Sequence, residues 1–226
     1  MDRKTWLRKM QEDCEEQYDM VWASLYSEEK AGTYNNKTHL TFILEFLSLL
    51  SPRSKILDAA CGVGRYLPYL LKREHSIIGI DQSQGMLTEA KAKFPNVQFE
   101  KVSLQQMSYQ EDFDGVICVD AMENVCPEDW PIVLANFNLA LKKNGYLYLT
   151  TETIEKADEK EIQKAYQRGH QAGIPIVYGE NPDKGVYHYH PSTHQVKTSV
   201  QQAGFKIVKE GDSVEWYYHT LMIKID

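Results

Sequence analysis

The stretch ILDAACGVGRYL, residues 56–67, decides the fold of this chain. Two apolar residues lead into an acid, Asp58, and small residues then lead into a Gly-x-Gly pair, Gly62 and Gly64. This order predicts a buried strand, a tight turn and the start of a helix. A glycine turn of that kind at the carboxyl edge of a parallel sheet is typical of nucleotide-type pockets.

Outward from this turn, short apolar runs alternate with segments of helical periodicity. The runs predict strands over residues 55–58, 76–80, 97–101, 113–119 and 146–150. Helices are predicted over residues 3–30, 36–50, 65–72, 83–93 and 128–141. After Thr151 the pattern predicts helices and then an antiparallel pair of strands, over residues 155–171, 192–203, 205–210 and 216–225. The alternation is typical of the α/β class, with a mostly parallel sheet covered by helices on both faces.

Composition limits the classes of function. With 226 residues, 42% of them hydrophobic and 25% charged, the chain has the size and the core of one α/β domain. A net charge of -7 without a Lys- or Arg-dense segment argues against a nucleic-acid substrate. The N-terminus lacks the apolar core of a leader peptide, and no stretch is long enough to span a bilayer, so a cytoplasmic protein without a membrane partner is expected.

Two cofactor classes compete for the glycine turn. A dinucleotide fingerprint needs a third glycine where this chain has Leu67, and Asp58 would repel the two phosphates. These residues disfavour an NAD-dependent oxidoreductase. A cofactor with an ammonium and a sulfonium group, such as S-adenosylmethionine, would instead be attracted to Asp58.

A second acid supports this interpretation of the turn. Asp81 ends the second predicted strand, where an acid accepts hydrogen bonds from both ribose hydroxyls. The adenine is then expected between two groups of side chains, with Gln82 and Met86 on one side and the loop of Ser103 and Leu104 on the other.

Several segments resemble the class I S-adenosylmethionine-dependent methyltransferases. DAACGVG, residues 58–64, resembles their first motif, and GIDQSQGML, residues 79–87, resembles their second. FDGVICVDAMENV and LKKNGYLYLT, residues 113–125 and 141–150, resemble their fourth and fifth strands. The resemblance covers about residues 36–226. It implies a Rossmann-like three-layer α/β/α sandwich, with a seven-stranded, mostly parallel sheet whose last strand is antiparallel.

The resemblance also implies a cofactor site and a small-molecule methyl acceptor. No motif of the subgroups that modify nucleic acids or proteins is present. The methionine end of the cofactor is expected near the glycine turn and Asp120. The predicted cofactor-binding residues are Asp58, Ala60, Gly62, Gly64, Asp81, Gln82, Met86, Ser103, Leu104 and Asp120.

Three residues are predicted to act on the acceptor. Methyl transfer is a direct in-line displacement, which needs alignment and exclusion of water, and a base only when the nucleophile starts protonated. Glu123 follows strand four and is expected to accept a proton or orient an amine, with a solvated helix-capping acid as the alternative. In the run YHYH, residues 187–190, Tyr189 and His190 are predicted acceptor contacts, with an ordinary edge strand as the alternative.

No metal site is predicted from the sequence. His188, His190 and His194 have suggestive spacing, but no carboxylate or cysteine falls at matching positions beside them.

The domain organisation is predicted as a single domain, residues 1–226. Residues 1–35 are expected to form a helical lid in which Tyr26 and Tyr34 cover the pocket, and residues 152–190 an insertion that covers the acceptor. A monomer or a homodimer is expected. A non-catalytic module that binds the cofactor and serves as a regulator or partner remains open, because methyl transfer requires no signature side chain.

Overall fold

A computed structural model gives the structure of the chain and describes residues 1–27, 37–155, 157–183, 186–212 and 216–225. The predicted lid residue Tyr34 lies outside the described residues. The helices are α1 (Arg3–Gln17), α2 (Ala23–Ser27), α3 (Lys37–Leu49), α4 (Leu67–Leu70), α5 (Gln84–Lys93), α6 (Trp130–Ala140), α7 (Glu159–Gln171) and α8 (Thr193–Gln202). A π-helical turn, Tyr18–Trp22, joins α1 to α2.

The strands form two sheets. Their bounds are β1 (Lys55–Ala59), β2 (Ser76–Asp81), β3 (Gln98–Lys101), β4 (Phe113–Cys118), β5 (Leu141–Glu152), β6 (Glu180–Asp183), β7 (Val186–Tyr189), β8 (Phe205–Asp212) and β9 (Tyr217–Lys224). The main sheet has seven strands in the order β3-β2-β1-β4-β5-β9-β8, and β6 and β7 form a separate antiparallel pair.

The predicted fold class is confirmed. Strands β1 to β5 pair in parallel, whereas β9 is antiparallel to both β5 and β8. The strand order reverses direction beside β1, where β2 lies on one side and β4 on the other. In open α/β sheets, a ligand crevice forms at the carboxyl ends of the strands at such a point.

The helix and strand starts follow the sequence signals closely. Ser83 caps α5 by accepting a hydrogen bond from the Met86 N–H. Ser192 and Gln195 form a capping box at the start of α8. Asp2 caps α1 by accepting from the Thr5 N–H.

The fifth strand differs from the prediction. It extends over Leu141–Glu152, and residues 142–145 bulge out where its pairing with β4 shifts register. Residues 142–145, which fall between a predicted helix and a predicted strand, are therefore a bulge inside the strand. At its other end, the strand continues past Thr150 to Glu152, because Glu152 still pairs with Tyr217 of β9.

Helix α3 packs on the sheet through Phe42, Ile43, Phe46 and Leu47, which are buried, whereas Leu44 is 49% exposed. Its aromatic residues enter the core against strands β4, β5 and β9. Among the described helices, none has the length and apolar character needed to cross a membrane.

Candidate functional site

A cavity of about 770 Å³ opens at the carboxyl ends of the parallel strands. This volume lies within the usual range for small-molecule sites. The floor comes from the ends of β1, β2, β4 and β5, and the roof comes from α1, the π-helical turn and α2. The roof residues are Gln11, Cys14, Gln17, Tyr18, Val21, Trp22 and Tyr26.

Asp58 stands at the centre of the floor. Its carboxyl is buried in β1, and its Oδ2 atom has no hydrogen-bond partner among the described residues. Burial, with a smaller contribution from nearby Asp81, raises the pKa of Asp58 to about 7. An unpaired buried carboxylate is costly, so a ligand that brings a cationic donor here would be stabilised.

Asp81 ties the glycine turn to the next helix. Its Oδ2 accepts from the Gly62 N–H at 2.9 Å, and its Oδ1 accepts from the Ser83 N–H at 2.8 Å. Burial raises the pKa of Asp81 to about 6, although these backbone donors favour its charged form. The carboxylate therefore fixes two backbone segments that line the same end of the cavity.

Most of the predicted cofactor-binding residues line this cavity. They are Asp58, Ala60, Gly62, Asp81, Gln82, Met86, Ser103, Leu104 and Asp120. Gly64 is not among the lining residues that the structure describes. Its φ is +79°, and a Cβ there would lie 2.8 Å from Leu67 and 3.0 Å from Phe94. The second glycine is therefore needed for the turn and for close packing of the chain beneath it.

A second unpaired oxygen lies on the wall formed by residues 102–105. The Ser103 hydroxyl is buried and has no partner within the described part of the chain. Leu104 beside it is buried, and Met86 lines the cavity from α5. An apolar slot with one free polar group fits a flat heterocycle, as the sequence predicts for the adenine.

Glu123 lies at the other end of the cavity, which we call the acceptor end. Its side chain is 3% exposed, and its Oε2 lacks a hydrogen-bond partner in the described structure. Burial raises the pKa of Glu123 well above its usual range, and the charges of Asp120 and Glu152 raise it further. Burial and these neighbouring charges therefore favour the protonated form of Glu123, which can donate a hydrogen bond. The alternative of a solvated capping acid does not fit this burial.

Asp120 is held by cationic and phenolic partners. Arg65 Nη1 lies 3.2 Å from its Oδ2, and the Tyr217 hydroxyl donates to its Oδ1. The guanidinium of Arg65 also lies 5.0 Å from the ring centroid of Tyr26 in the roof. The floor, the roof and β9 thus meet at Asp120.

The YHYH run alternates as predicted, but its two faces have different environments. Tyr187 and Tyr189 face the core. The ring centroid of Tyr189 lies 6.2 Å from that of Trp130, and the ring centroid of Tyr187 lies 6.1 Å from that of Trp6, both in edge-on contacts. Tyr189 is not among the described cavity-lining residues, whereas His188 is. The structure thus puts His188 where the sequence analysis expected Tyr189, because the strand period places residue 188 on the cavity side.

His190 lies just beneath the cavity surface. Its Nε2 is 3.0 Å from Glu152 Oε2, and its Nδ1 is 3.1 Å from the carbonyl oxygen of Gly179. His190 therefore reaches the cavity through Glu152, which lines it.

The N-terminal segment is bonded to the rest of the site. The Asp19 carboxylate accepts from the Ser83 hydroxyl at 2.5 Å and from the Gly85 N–H at 2.9 Å. The Tyr18 hydroxyl donates to Asn124 Oδ1 at 3.0 Å. The segment thus closes over both the cofactor side and the acceptor side of the cavity.

Sequence reasoning missed three polar residues of the acceptor end, Arg65, Glu152 and Tyr217. Glu152 carried a usable signal, since it directly follows the run of strand five and carboxyl ends of parallel strands share one edge. Arg65 and Tyr217 carried none, because their contacts with Asp120 span 55 and 97 residues of sequence.

Comparison with known families places this site in context. A model of the methyltransferase domain matches residues 56–145. The ubiquinone/menaquinone biosynthesis C-methyltransferase UbiE of Campylobacter jejuni serotype O:2 is 36% identical over 101 residues, 41% of this chain and 42% of that protein. The UbiE of serotype O:23/36 is 29% identical over 171 residues, 68% of this chain and 71% of that protein. The match thus spans less than half of the length of the first relative and about seven-tenths of the length of the second.

Solved structures share the fold at low identity. A methyltransferase from Methanosarcina mazei has a TM-score of 0.68 at 17% identity and covers 80% of this chain and 97% of its own. The 1,6-didemethyltoxoflavin-N1-methyltransferase of Burkholderia thailandensis, solved with S-adenosylhomocysteine, has a TM-score of 0.70 at 14% identity over 100% of this chain and 92% of its own. The domain match and the shared fold confirm the resemblance predicted from the sequence.

Proposed function

We propose that this chain is an S-adenosylmethionine-dependent methyltransferase whose acceptor is a small polar or aromatic molecule bound beside Glu123, Glu152 and His188. The cavity supports a small acceptor, because its roof and floor leave room for a cofactor and one further small molecule. The net charge of -7 supports a partner other than nucleic acid.

The floor residues fit the cofactor that the fold implies. Asp58 offers an unpaired carboxylate oxygen for the ammonium group, and Asp81 lies at the end of β2 where the ribose is expected. Ser103, Leu104 and Met86 form the slot for the adenine. When bound, S-adenosylmethionine supplies a methyl group on a cationic sulfonium, which a nucleophile can displace in line.

The chain's own residues would position the acceptor, limit the access of water and supply a hydrogen-bond donor. The roof of α1, the π-helical turn and α2 lies over the cavity and would limit the access of water, as the predicted lid would. Glu123, in the protonated form that its burial favours, would donate a hydrogen bond to the acceptor and so orient it. His188 contacts the acceptor in place of Tyr189, and His190 acts as a positioning residue through Glu152. Alignment of this kind contributes about 7–11 kcal/mol in favourable cases, so no further catalytic group is required.

The observation that carries this proposal is the unpaired, buried Asp58 Oδ2 at the switch point of the sheet. Its test is calorimetric titration of the full chain with S-adenosylhomocysteine, with NAD as the comparison ligand. We expect saturable binding of S-adenosylhomocysteine alone. Binding of NAD alone, or of neither, would overturn the proposal.

A matched pair of variants locates the binding. Asp58→Asn removes the charge on the floor, whereas Asp112→Asn removes an exposed charge that pairs with Lys55 outside the cavity. Only Asp58→Asn should weaken the binding of S-adenosylhomocysteine. A screen of amines, phenols and thiols for methylated product then separates an enzyme from a module that binds the cofactor without turnover.

The finer parts of the prediction belong to the same proposal. They are a cytoplasmic location, a monomer or homodimer, a single domain over residues 1–226, a lid over residues 1–35 and an acceptor-covering insertion over residues 152–190. Placement of Glu152, Asn181 and His188 in the cavity wall supports the insertion, and the bonds of Tyr18 and Asp19 support the lid.

A further inference from the structure

Three potential metal ligands lie close together at the edge of the acceptor end, although one of them is far from the other two along the chain. Glu152 ends β5, His188 lies in β7, and His190 directly follows β7. Glu152 Oε2 lies 3.0 Å from His190 Nε2 and 3.7 Å from His188 Nδ1. These three atoms all lie within 4.8 Å of one another. The carboxylate that local sequence spacing lacked is therefore supplied by the fold.

The spacing of these atoms is compatible with ligands of one ion. The 3.7 Å separation between Glu152 Oε2 and His188 Nδ1 is too long for a hydrogen bond. Two ligands bound at about 2.0–2.1 Å to a tetrahedral ion lie about 3.4 Å apart. The two measured separations, 3.0 and 3.7 Å, lie on either side of that value.

The tautomer of His190 points in the same direction. Its Nδ1 faces the Gly179 carbonyl oxygen at 3.1 Å, and a carbonyl can only accept, so Nδ1 carries the hydrogen. In the neutral ring, Nε2 then presents a lone pair toward the Glu152 carboxylate. A cation between the two acceptors, a metal ion or a proton, resolves this contact. Metal-binding histidines commonly donate their second N–H to a backbone carbonyl in this way.

The ligands stand on ordered backbone. Glu152 pairs with Tyr217 in the main sheet, and His188 pairs with Asn181 in the β6–β7 pair. The His190 N–H donates to the Gly179 carbonyl at 2.9 Å. Metal binding therefore requires little further ordering of the backbone, and this low entropy cost favours affinity.

We propose that Glu152, His188 and His190 bind one divalent transition-metal ion of the zinc type. Two imidazoles and one carboxylate suit zinc and its neighbours rather than magnesium or calcium. Three protein ligands leave a fourth position open. Because Glu152 and His188 line the cavity and His190 lies beneath, that position faces the acceptor end.

The test is a titration of the metal-free full chain with Zn²⁺ in competition with a chromophoric chelator, without cofactor. We expect one saturable zinc site per chain. His188→Gln and His190→Gln should each weaken zinc binding by about tenfold or more. The loss of even an outer-shell partner lowers metal affinity by about 10–100-fold. His194→Gln is the matched control, because His194 is exposed on α8, and it should leave the affinity unchanged.

Thermal unfolding of each variant shows whether it is folded. If His190→Gln fails to fold, the result with His188→Gln, a substitution of the more exposed histidine, decides the test. Absence of a saturable zinc site, an unchanged affinity in His188→Gln, or an equal loss in His194→Gln would each overturn the metal site. Binding of S-adenosylhomocysteine is measured separately. A chain that binds zinc but not S-adenosylhomocysteine would overturn the methyltransferase proposal alone, and the opposite result would overturn the metal site alone.

Discussion

The two ends of the cavity are assembled in different ways. The cofactor end uses two short strand-and-turn segments, residues 58–62 and 81–86, which adjoin because β1 and β2 pair in parallel. The acceptor end combines side chains from distant segments, namely Glu123, Glu152, His188 and Tyr217. The first end is built by local sequence, whereas the second exists only when long-range packing brings its parts together.

The two ends also differ in how their acids are balanced. At the cofactor end, the Asp58 Oδ2 is left without a partner among the described residues. At the acceptor end, Asp120 contacts Arg65 and Tyr217, and the raised pKa of Glu123 favours its protonated form. The comparison indicates that the cofactor end is prepared for a cation, whereas Glu123 is prepared to donate a hydrogen bond.

Asp58→Asn should have the largest effect on the cofactor end. We expect S-adenosylhomocysteine to bind about 10–100-fold more weakly, since a hydrogen bond to a charged group is worth about 1.5–3 kcal/mol. The unliganded variant should unfold at a higher temperature than the wild type at pH 8, because the substitution removes a buried charge. Calorimetry and thermal unfolding measure the two effects. Equal affinity in both proteins would show that Asp58 does not meet the ligand.

The pH dependence of binding should follow the same carboxyl. Between pH 8 and pH 6, Asp58 takes up a proton as the pH falls through its pKa of about 7, so the wild type should lose affinity by up to about tenfold. Asp81, with a pKa of about 6 and Asp19 nearby, contributes only at the lower end of this range. Titrations at several pH values measure the profile. Asp58→Asn should flatten it, and a flat wild-type profile would contradict the assignment.

Gly85→Ala should loosen the roof. A Cβ at this position would lie 2.6 Å from the Asp19 carbonyl oxygen, which is backbone and must move away. Overpacking of this kind costs about 1–3 kcal/mol, so S-adenosylhomocysteine should bind severalfold more weakly and protease should cleave residues 18–23 faster. Gln84→Ala, on the exposed face of α5, is the matched control. Equal affinity and cleavage in the two variants would mean that the roof does not depend on this contact.

The same contrast explains what could be predicted from the sequence. The strand, glycine turn and acid of residues 56–64 form one local unit, so their chemistry was visible as a pattern. Glu123 was also visible, because it follows β4, but its burial was not. That burial depends on packing of residues 122–124 against β5 and β7, which no local pattern encodes. Tyr189 was predicted as an acceptor contact, whereas His188 lines the cavity in its place, since strand periodicity gives alternation but not which face is inside.

Glu123→Gln tests whether the two ends are independent, and its effect on cofactor binding should be the smallest. Glutamine is neutral and nearly isosteric with the protonated acid, so S-adenosylhomocysteine affinity should stay unchanged at pH 7.

The pH dependence of the free energy of unfolding should differ between the wild type and Glu123→Gln. The folded-state pKa of Glu123 is raised, so its contribution is fully present below the unfolded pKa of about 4.3 and is lost as the pH rises toward the folded pKa. The free energy of unfolding of the wild type should therefore fall relative to the variant by up to about 1.4 kcal/mol per pH unit as the pH rises above the unfolded pKa. Urea unfolding at several pH values measures this difference, in which the shared contributions of Asp58 and Asp81 cancel. A parallel pH dependence of the two proteins would show that Glu123 is charged in the folded state, and a loss of S-adenosylhomocysteine affinity in the variant would show that the acceptor end supports the cofactor end.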